Sequence, residues 1–358
     1  MNKENFFIRQ TTLENFGQNG QEKLQQAKIA IVGCGGLGSI AAVYLAASGI
    51  GQLTLIDFDT INNSNLHRQV FYTLDTIGKY KAIVLAEHIK KIAPFTEVKT
   101  AITPISKKNI DAILKDYSII LDCTDNLSIK YLLNDYCVIN DKTLVYGSLY
   151  KYDGYVATFN LLDGNKRTAN LRDAFPEMPT QNIPNCSESG TLNTIVGFIG
   201  LQQANEVLKI ISGIGSPLIN QILIYNSLSN SQFKMKLKPT IEKKKIQELF
   251  LKEEYSTPNC DYQKKELLIS KNELQKNLNN TNTKIISVIE DVNTKLPFNE
   301  VTRIPLSKLK ENPITLNKKF TYILICNKGK SSYQATLLLK EKYPLIKILS
   351  LKNGISNY

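Results

Sequence analysis

The sequence predicts an α/β protein in two units, a larger one built on a mostly parallel sheet and then a smaller one. Three observations predict this. Residues 28–57 read as strand, glycine turn, helix, strand. Residues 322–342 read as strand, cysteine-headed loop, helix. The charge also divides: residues 1–233 hold 20 Lys+Arg against 20 Asp+Glu, and residues 234–358 hold 24 against 12. The whole formal charge of +12 therefore falls in the last third, and such a shift in composition marks a boundary. A chain of 358 residues suits two domains, and 42% apolar content excludes global disorder.

The elements follow in order. Lys28–Gly33 is short and β-branched, as a buried strand is. Gly33-Cys-Gly35-Gly36-Leu-Gly38 follows, then a helical pattern from Ser39 to Ala47, with Gly49 and Gly51 as punctuation. Leu53–Asp57 is the second strand, which completes a Rossmann-like βαβ unit. Residues 81–93 carry Ala82, Leu85, His88, Ile89 and Ile92 at helical spacing. Tyr117–Cys123, Thr143–Tyr146 and Tyr155–Asn160 read as further strands, and 191–212 as a buried helix. Lysines then crowd 234–245, and 238–265 reads as a basic linker broken at Pro258. The division expected is 1–237, linker 238–265, and 266–358.

Several classes are excluded by composition. No apolar run approaches the ~18 residues of a membrane span. The start, Met-Asn-Lys-Glu-Asn, lacks the layout of a signal peptide, so the expectation is a cytoplasmic protein. Six cysteines are widely spaced with no CxxC, which argues against a disulfide framework. The basic third could meet nucleic acid, a membrane surface or an acidic protein, or reflect coding bias toward Lys, Asn and Ile. Aromatics are sparse around the lysine run itself (Phe233, Phe250), so base stacking has little support and nucleic acid is not expected as a partner.

Gly33-x-Gly35-x-x-Gly38 lets backbone approach a phosphate at a helix N-terminus. Asp57 stands nineteen residues past Gly38, at a strand end, where a carboxylate can accept from ribose hydroxyls. Alone, this fits an NAD dehydrogenase as well as an ATP enzyme. The loop that follows holds Asn65, His67 and Arg68, then Lys79 and Lys81. A dehydrogenase has no use for that much positive charge. Nucleotidyl transfer does, because it must hold a triphosphate and the departing pyrophosphate. Asp125, after another strand, offers an oxygen ligand for Mg²⁺.

GCGGLGS, TLIDFDTINNSNLHRQ, GKYKA and LDCTDN together resemble the E1-like adenylyltransferases of the MoeB/ThiF/HesA family, over about residues 1–235. The resemblance implies ATP and Mg²⁺ as cofactors. It implies nucleotide contacts from Gly33, Gly35, Gly36, Gly38, Asp57, Asn65, Arg68, Lys81, Asp125 and Asn126, with Asp125 on the metal. It implies that Arg9 reaches the partner subunit's site, hence a homodimer. The substrate implied is the Gly-Gly carboxylate of a ubiquitin-like sulfur carrier, ThiS- or MoaD-like, for thiamine or molybdopterin synthesis. Cys186, in Pro-Asn-Cys-Ser-Glu-Ser-Gly, stands where the family carries a sulfur-relay or active-site cysteine; the plainer reading is a small packing residue. Cys34, Cys123 and Cys137 read as packing residues. Relatives with structural zinc use two CxxC pairs. This chain has none near 164–170 and only Cys260 later, so no structural zinc is expected.

Cys326 heads the loop Asn-Lys-Gly-Lys-Ser-Ser between a strand and a helix. Such a loop turns backbone N–H groups and a helix N-terminus onto one sulfur. Residues 266–358 resemble a rhodanese-like sulfurtransferase domain, which implies a persulfide at Cys326 and a sulfur donor such as a cysteine desulfurase. Two departures are visible: Ile285-Ile-Ser-Val-Ile-Glu-Asp lacks the usual Asp-Val-Arg, and Val301-Thr-Arg-Ile-Pro lacks a histidine. The expectation is adenylation of a carrier coupled to sulfur transfer through Arg9, Arg68, Lys81, Asp125, Cys186 and Cys326. The alternative is a docking protein, non-catalytic or associated with tRNA thiolation, with an inactive rhodanese-like domain.

Overall fold

The computed structural model describes residues 2–178, 190–253, 255, 265–278, 280, 282–298, 300–311, 314–327 and 329–355. The chain divides into two compact units, Met1–Pro258 and Asn259–Tyr358.

The strands described in the first unit are β1 (Lys28–Val32), β2 (Gln52–Ile56), β3 (Glu97–Ala101), β4 (Ile119–Asp122), β5 (Thr143–Tyr150), β6 (Asp153–Phe159), β7 (Leu162–Asp163), β8 (Lys166–Arg167), β9 (Gln221–Asn226) and β10 (Ser231–Lys236). One sheet runs β10-β9-β6-β5-β4-β1-β2-β3, and β7 pairs with β8 alone. From β3 to β5 the pairs are parallel; from β5 to β10 they are antiparallel. The parallel half has the doubly wound order expected from the glycine turn.

Side chains alternate across the parallel half as strand geometry requires. Ile29, Ile31, Leu53, Leu55, Leu121 and Val145 face one core, with the helices Gly36–Ala47, Lys81–Ile92 and Asn193–Ser212. Ala30, Val32, Ile56, Ile120 and Leu144 face the other, with the helix Leu127–Ile139. The result is helix, sheet, helix.

The expected linker is not one along its first half. Lys243–Lys252 is a helix, Ile246 on it is fully buried, and Phe250 packs on Tyr255 at a ring distance of 5.7 Å. Ile246 and Phe250 are four apart and so share one face, with lysines outside. The charge run hides that two-residue stripe, and the first unit runs on to Pro258 rather than ending near 237.

The second unit has the parallel sheet β11-β15-β14-β12-β13, formed by β11 (Leu268–Ile269), β12 (Thr283–Ser287), β13 (Val301–Arg303), β14 (Thr321–Ile325) and β15 (Ile348–Leu351). Ile286, Leu324 and Ile348 pack to one side, and Ile285, Ile323 and Leu351 to the other. The helix Lys330–Lys342 follows β14, as expected.

Candidate active site

The order β3-β2-β1-β4-β5 reverses direction between β1 and β4. In open α/β sheets a ligand binds outside the carboxyl ends of the strands at that point. The glycine turn, Asp57 and Asp122–Asn126 all lie there. Gly33 has φ +93°, and its N–H donates to Ile56 O at 2.9 Å. A Cβ on Gly33 would stand 2.8 Å from Cys123 O, one on Gly36 would collide with Val196, and one on Gly38 with Gly33 O. These three glycines are demanded by the protein's own packing. Gly35 differs. It caps the helix Gly36–Ala47, and a Cβ there would make only an ordinary contact, 3.5 Å from Gln69 Nε2. The helix's first N–H groups have no partner within the helix and suit a phosphate.

The charged groups around this turn are tied to one another. Asp57 Oδ2 accepts the Cys34 N–H at 2.7 Å, and Oδ1 accepts the Asp59 N–H at 2.8 Å. Each oxygen keeps a lone pair for a ribose hydroxyl. The Tyr72 hydroxyl donates to Cys34 O at 2.6 Å and so braces the turn. Lys81 begins the helix Lys81–Ile92, and its Nζ lies 2.9 Å from Asp59 Oδ2. Burial alone would lower the Lys81 pKa, but Asp57, Asp59 and Asp125 together outweigh it and hold it above the usual value. Burial raises the Asp57 carboxyl, against the pull of Lys81. Asp125 itself is exposed.

The remaining expected residues have local partners. Arg68 Nη1 donates to Ser64 O at 2.8 Å and lies 3.1 Å from His67 Nε2. Asn65 Oδ1 accepts the Asn62 N–H at 3.1 Å, closing the short 3₁₀ turn Asn63–Asn65. Asn126 was expected at the nucleotide. Its Oδ1 caps the helix Leu127–Ile139 by accepting the Ile129 N–H at 3.1 Å, which leaves the amide N–H₂ for a ligand.

Arg9 is not part of its own chain's site. Its neighbour Gln10 donates to Ser48 O at 3.0 Å, and Ser48 caps the C-terminal end of the helix Gly36–Ala47. Twelve helical residues span about 18 Å, so Arg9 stands a helix length from the glycine turn. Cys186 lies outside the described residues. Cys34, Cys123 and Cys137 are buried free thiols whose pKa values burial raises, as packing residues behave.

Sequence reading missed the supports behind the site. Lys130 is buried and bonds Asp122 Oδ2 at 3.1 Å and Gly147 O at 2.7 Å. Asp122 Oδ1 in turn accepts from Thr124 N at 3.0 Å and Thr124 Oγ1 at 2.7 Å, which fixes the loop before Asp125. Gln203 Nε2 donates to Asp122 O at 2.8 Å and pins the helix Asn193–Ser212 to the strand ends. Lys130 stands four residues after the cap Asn126, a local signal that was available; Gln203 has none.

In the second unit Cys326 is only 4% exposed. Its Sγ accepts the N–H groups of Gly329 at 3.1 Å and Ser332 at 3.2 Å. Gly329 has φ +81° and caps the helix Lys330–Lys342. The loop thus turns two amides onto the sulfur.

A glycine turn feeding a helix at a sheet's reversal point, flanked by a buried lysine and carboxylates, defines a nucleotide-handling α/β protein. The chain belongs to the ThiF family, whose signature matches residues 7–246. It is 35% identical to a "Probable molybdopterin-synthase adenylyltransferase" from Porphyra purpurea, covering 95% of this chain and 88% of the relative. It is 36% identical to a "Sulfur carrier protein adenylyltransferase" from Thermus thermophilus, covering 63% and 84%. Among solved structures, MccB of E. coli with MccA-N7isoASN shares the fold, with TM-score 0.59, 23% identity, and coverage of 67% and 73%.

Proposed function

We propose that the first unit is an ATP-dependent adenylyltransferase for the C-terminal Gly-Gly carboxylate of a ubiquitin-like sulfur carrier, ThiS- or MoaD-like, and that the second unit supplies sulfur. The observation that carries the reading is Lys81, a buried cation among Asp57, Asp59 and Asp125 beside a glycine turn. Molybdopterin or thiamine synthesis is the setting, in the cytoplasm. No described helix is long and apolar enough to cross a membrane.

In the step, a carrier carboxylate oxygen attacks the α-phosphorus of ATP. The bond to the β,γ-phosphates breaks and pyrophosphate leaves, giving an acyl-adenylate. The helix N-terminus at Gly35 and Gly36 receives phosphate oxygens, and Asp57 holds the ribose. Lys81 and Arg68 offset the charge that grows on the phosphates. Among the described residues no group of three or more His, Cys, Asp or Glu is placed to hold a metal ion. Asp125 alone fits Mg²⁺ as nucleotide sites hold it, by one carboxylate plus phosphate oxygens and water. The ion would supply further charge neutralisation. Arg9 would act from the second copy of a homodimer, since its own site lies a helix length away. A Cys326 persulfide, loaded by a donor such as a cysteine desulfurase, attacks the acyl carbon of the adenylate with its outer sulfur, directly or after handing that sulfur to Cys186; an acyl–sulfur bond forms and AMP leaves.

ATP–pyrophosphate exchange tests this. It should require a carrier ending in Gly-Gly, and Arg68→Ala should abolish it with the fold intact. No exchange with any carrier from the host would refute the adenylation.

A further inference from the structure

The Cys326 sulfur has a third hydrogen-bonding neighbour that does not belong to the backbone. Ser332 Oγ lies 3.2 Å from it, and Ser350 Oγ donates to Ser332 Oγ at 2.9 Å. Ser332 and Ser350 are 0% exposed, so water does not compete for either hydroxyl. Ser350 is not part of the loop. It sits in β15, paired with Leu324 on one side and Leu268 on the other, in the middle of the sheet.

The chain of hydroxyls responds to the charge on sulfur. Ser332 Oγ can donate either to Sγ or to Gly329 O, which is 3.2 Å away. A thiol can give its own proton to Ser332 Oγ, leaving the serine proton on Gly329 O. A thiolate or persulfide anion has no proton and only accepts, so the serine proton turns onto sulfur. Ser350, by donating to Ser332 Oγ, polarises that hydroxyl and strengthens what it gives.

We infer that Ser350 is a positioning residue for sulfur transfer, acting through Ser332 to hold the Cys326 anion. The inference rests on the reading of Cys326 as a persulfide carrier. The half-reactions are balanced with thiosulfate and cyanide as probes. Cys326 thiolate attacks the outer sulfur of thiosulfate, a sulfur–sulfur bond forms, and sulfite leaves. Cyanide then takes the outer sulfur as thiocyanate and returns the thiolate. No proton moves, so the hydroxyls act only as donors to a standing negative charge.

The test is a double-mutant cycle on the full chain, reading thiocyanate formation, with thermal unfolding as the check on folding. Ser350→Ala should lower kcat about fivefold, the effect of one lost hydrogen bond between neutral groups passed on through Ser332. The KM for thiosulfate should stay within about twofold, because Ser350 touches no substrate. In a Ser332→Ala background the same change should add nothing, since the path to sulfur is already cut. Wild-type kcat in Ser350→Ala overturns the proposal. So does a loss that adds in full to that of Ser332→Ala, which would mark a packing role. A Cys326→Ala control separates the two claims: turnover that survives it removes the persulfide reading itself, whatever Ser350 does.

Discussion

Lys81 Nζ and Asp59 Oδ2 lie 2.9 Å apart, with the lysine side chain 8% and the aspartate 54% exposed. The pair is therefore lopsided. The cation is held inside the site, and its carboxylate partner still faces water. Burial works against the lysine's charge, and Asp57, Asp59 and Asp125 restore it. The charge is thus available to a phosphate rather than locked in a buried ion pair.

Asp59→Asn should shift the pH profile. Removing one raising partner lets burial weigh more, so the Lys81 pKa falls. The alkaline limb of ATP–pyrophosphate exchange should move to lower pH. Stability should follow with the same sign. The raised pKa favours folding while Lys81 is charged, and that contribution is lost as pH rises through the folded value. Lys81→Met should instead cost about 100-fold or more in exchange at every pH. An unmoved alkaline limb in Asp59→Asn would show that Lys81 does not set it.

How much of this was legible in sequence depended on distance along the chain. The glycine turn, Asp57, Arg68, Lys81 and Asp125 stood out because each sits in a short run whose spacing has a mechanical reason. The βαβ order and the Cys326 loop were legible for the same cause. Gln203, Ser350 and Tyr72 were not, because each acts across a gap of eighteen to eighty-one residues that only the fold closes. The helix Lys243–Lys252 was hidden because its inward face is Ile246 and Phe250 amid lysines.

The glycines should separate under mutation. Gly38→Ala would drive a Cβ into Gly33 O, so it should cost both stability and exchange. Gly35 has φ −75°, and a Cβ there would meet only Gln69 Nε2 at an ordinary 3.5 Å. Gly35→Ala should therefore unfold at the wild-type temperature yet bind ATP more weakly. Calorimetry and nucleotide titration read the two effects, and equal losses of stability would contradict the packing argument.

Arg172 should be the most sensitive charged residue of the first unit. It is fully buried and bonds Asp135 through Nε at 2.8 Å and Nη2 at 2.6 Å, and Glu253 Oε2 at 2.7 Å. Tyr255 also donates to Asp135. Arg172 and Pro176 are thereby tied to Glu253 and Tyr255 through Asp135 and the guanidinium. Arg172→Met leaves the buried Asp135 charge without its cation, so it should destabilise by ~3–5 kcal/mol in urea unfolding. Arg172→Met with Asp135→Leu should cost less than Arg172→Met alone. A cost under about 1 kcal/mol for the single change would show that Asp135 finds other partners.

Arg9 offers a test of shared sites that needs no structure of a dimer. In a two-fold dimer with exchanged arginines, Arg9→Ala damages the partner's site and Lys81→Met damages its own. Each variant alone should be inactive in exchange. Mixed and allowed to re-equilibrate, half the dimers pair one variant with the other. In such a dimer the Lys81→Met subunit's site carries both defects. The Arg9→Ala subunit's own site keeps Lys81 and receives an intact Arg9 from its partner, so it should work. Recovery should therefore approach about a quarter of wild-type exchange at equal mixing. No recovery, with subunit exchange verified by a tag pull-down, would place Arg9 outside the reaction.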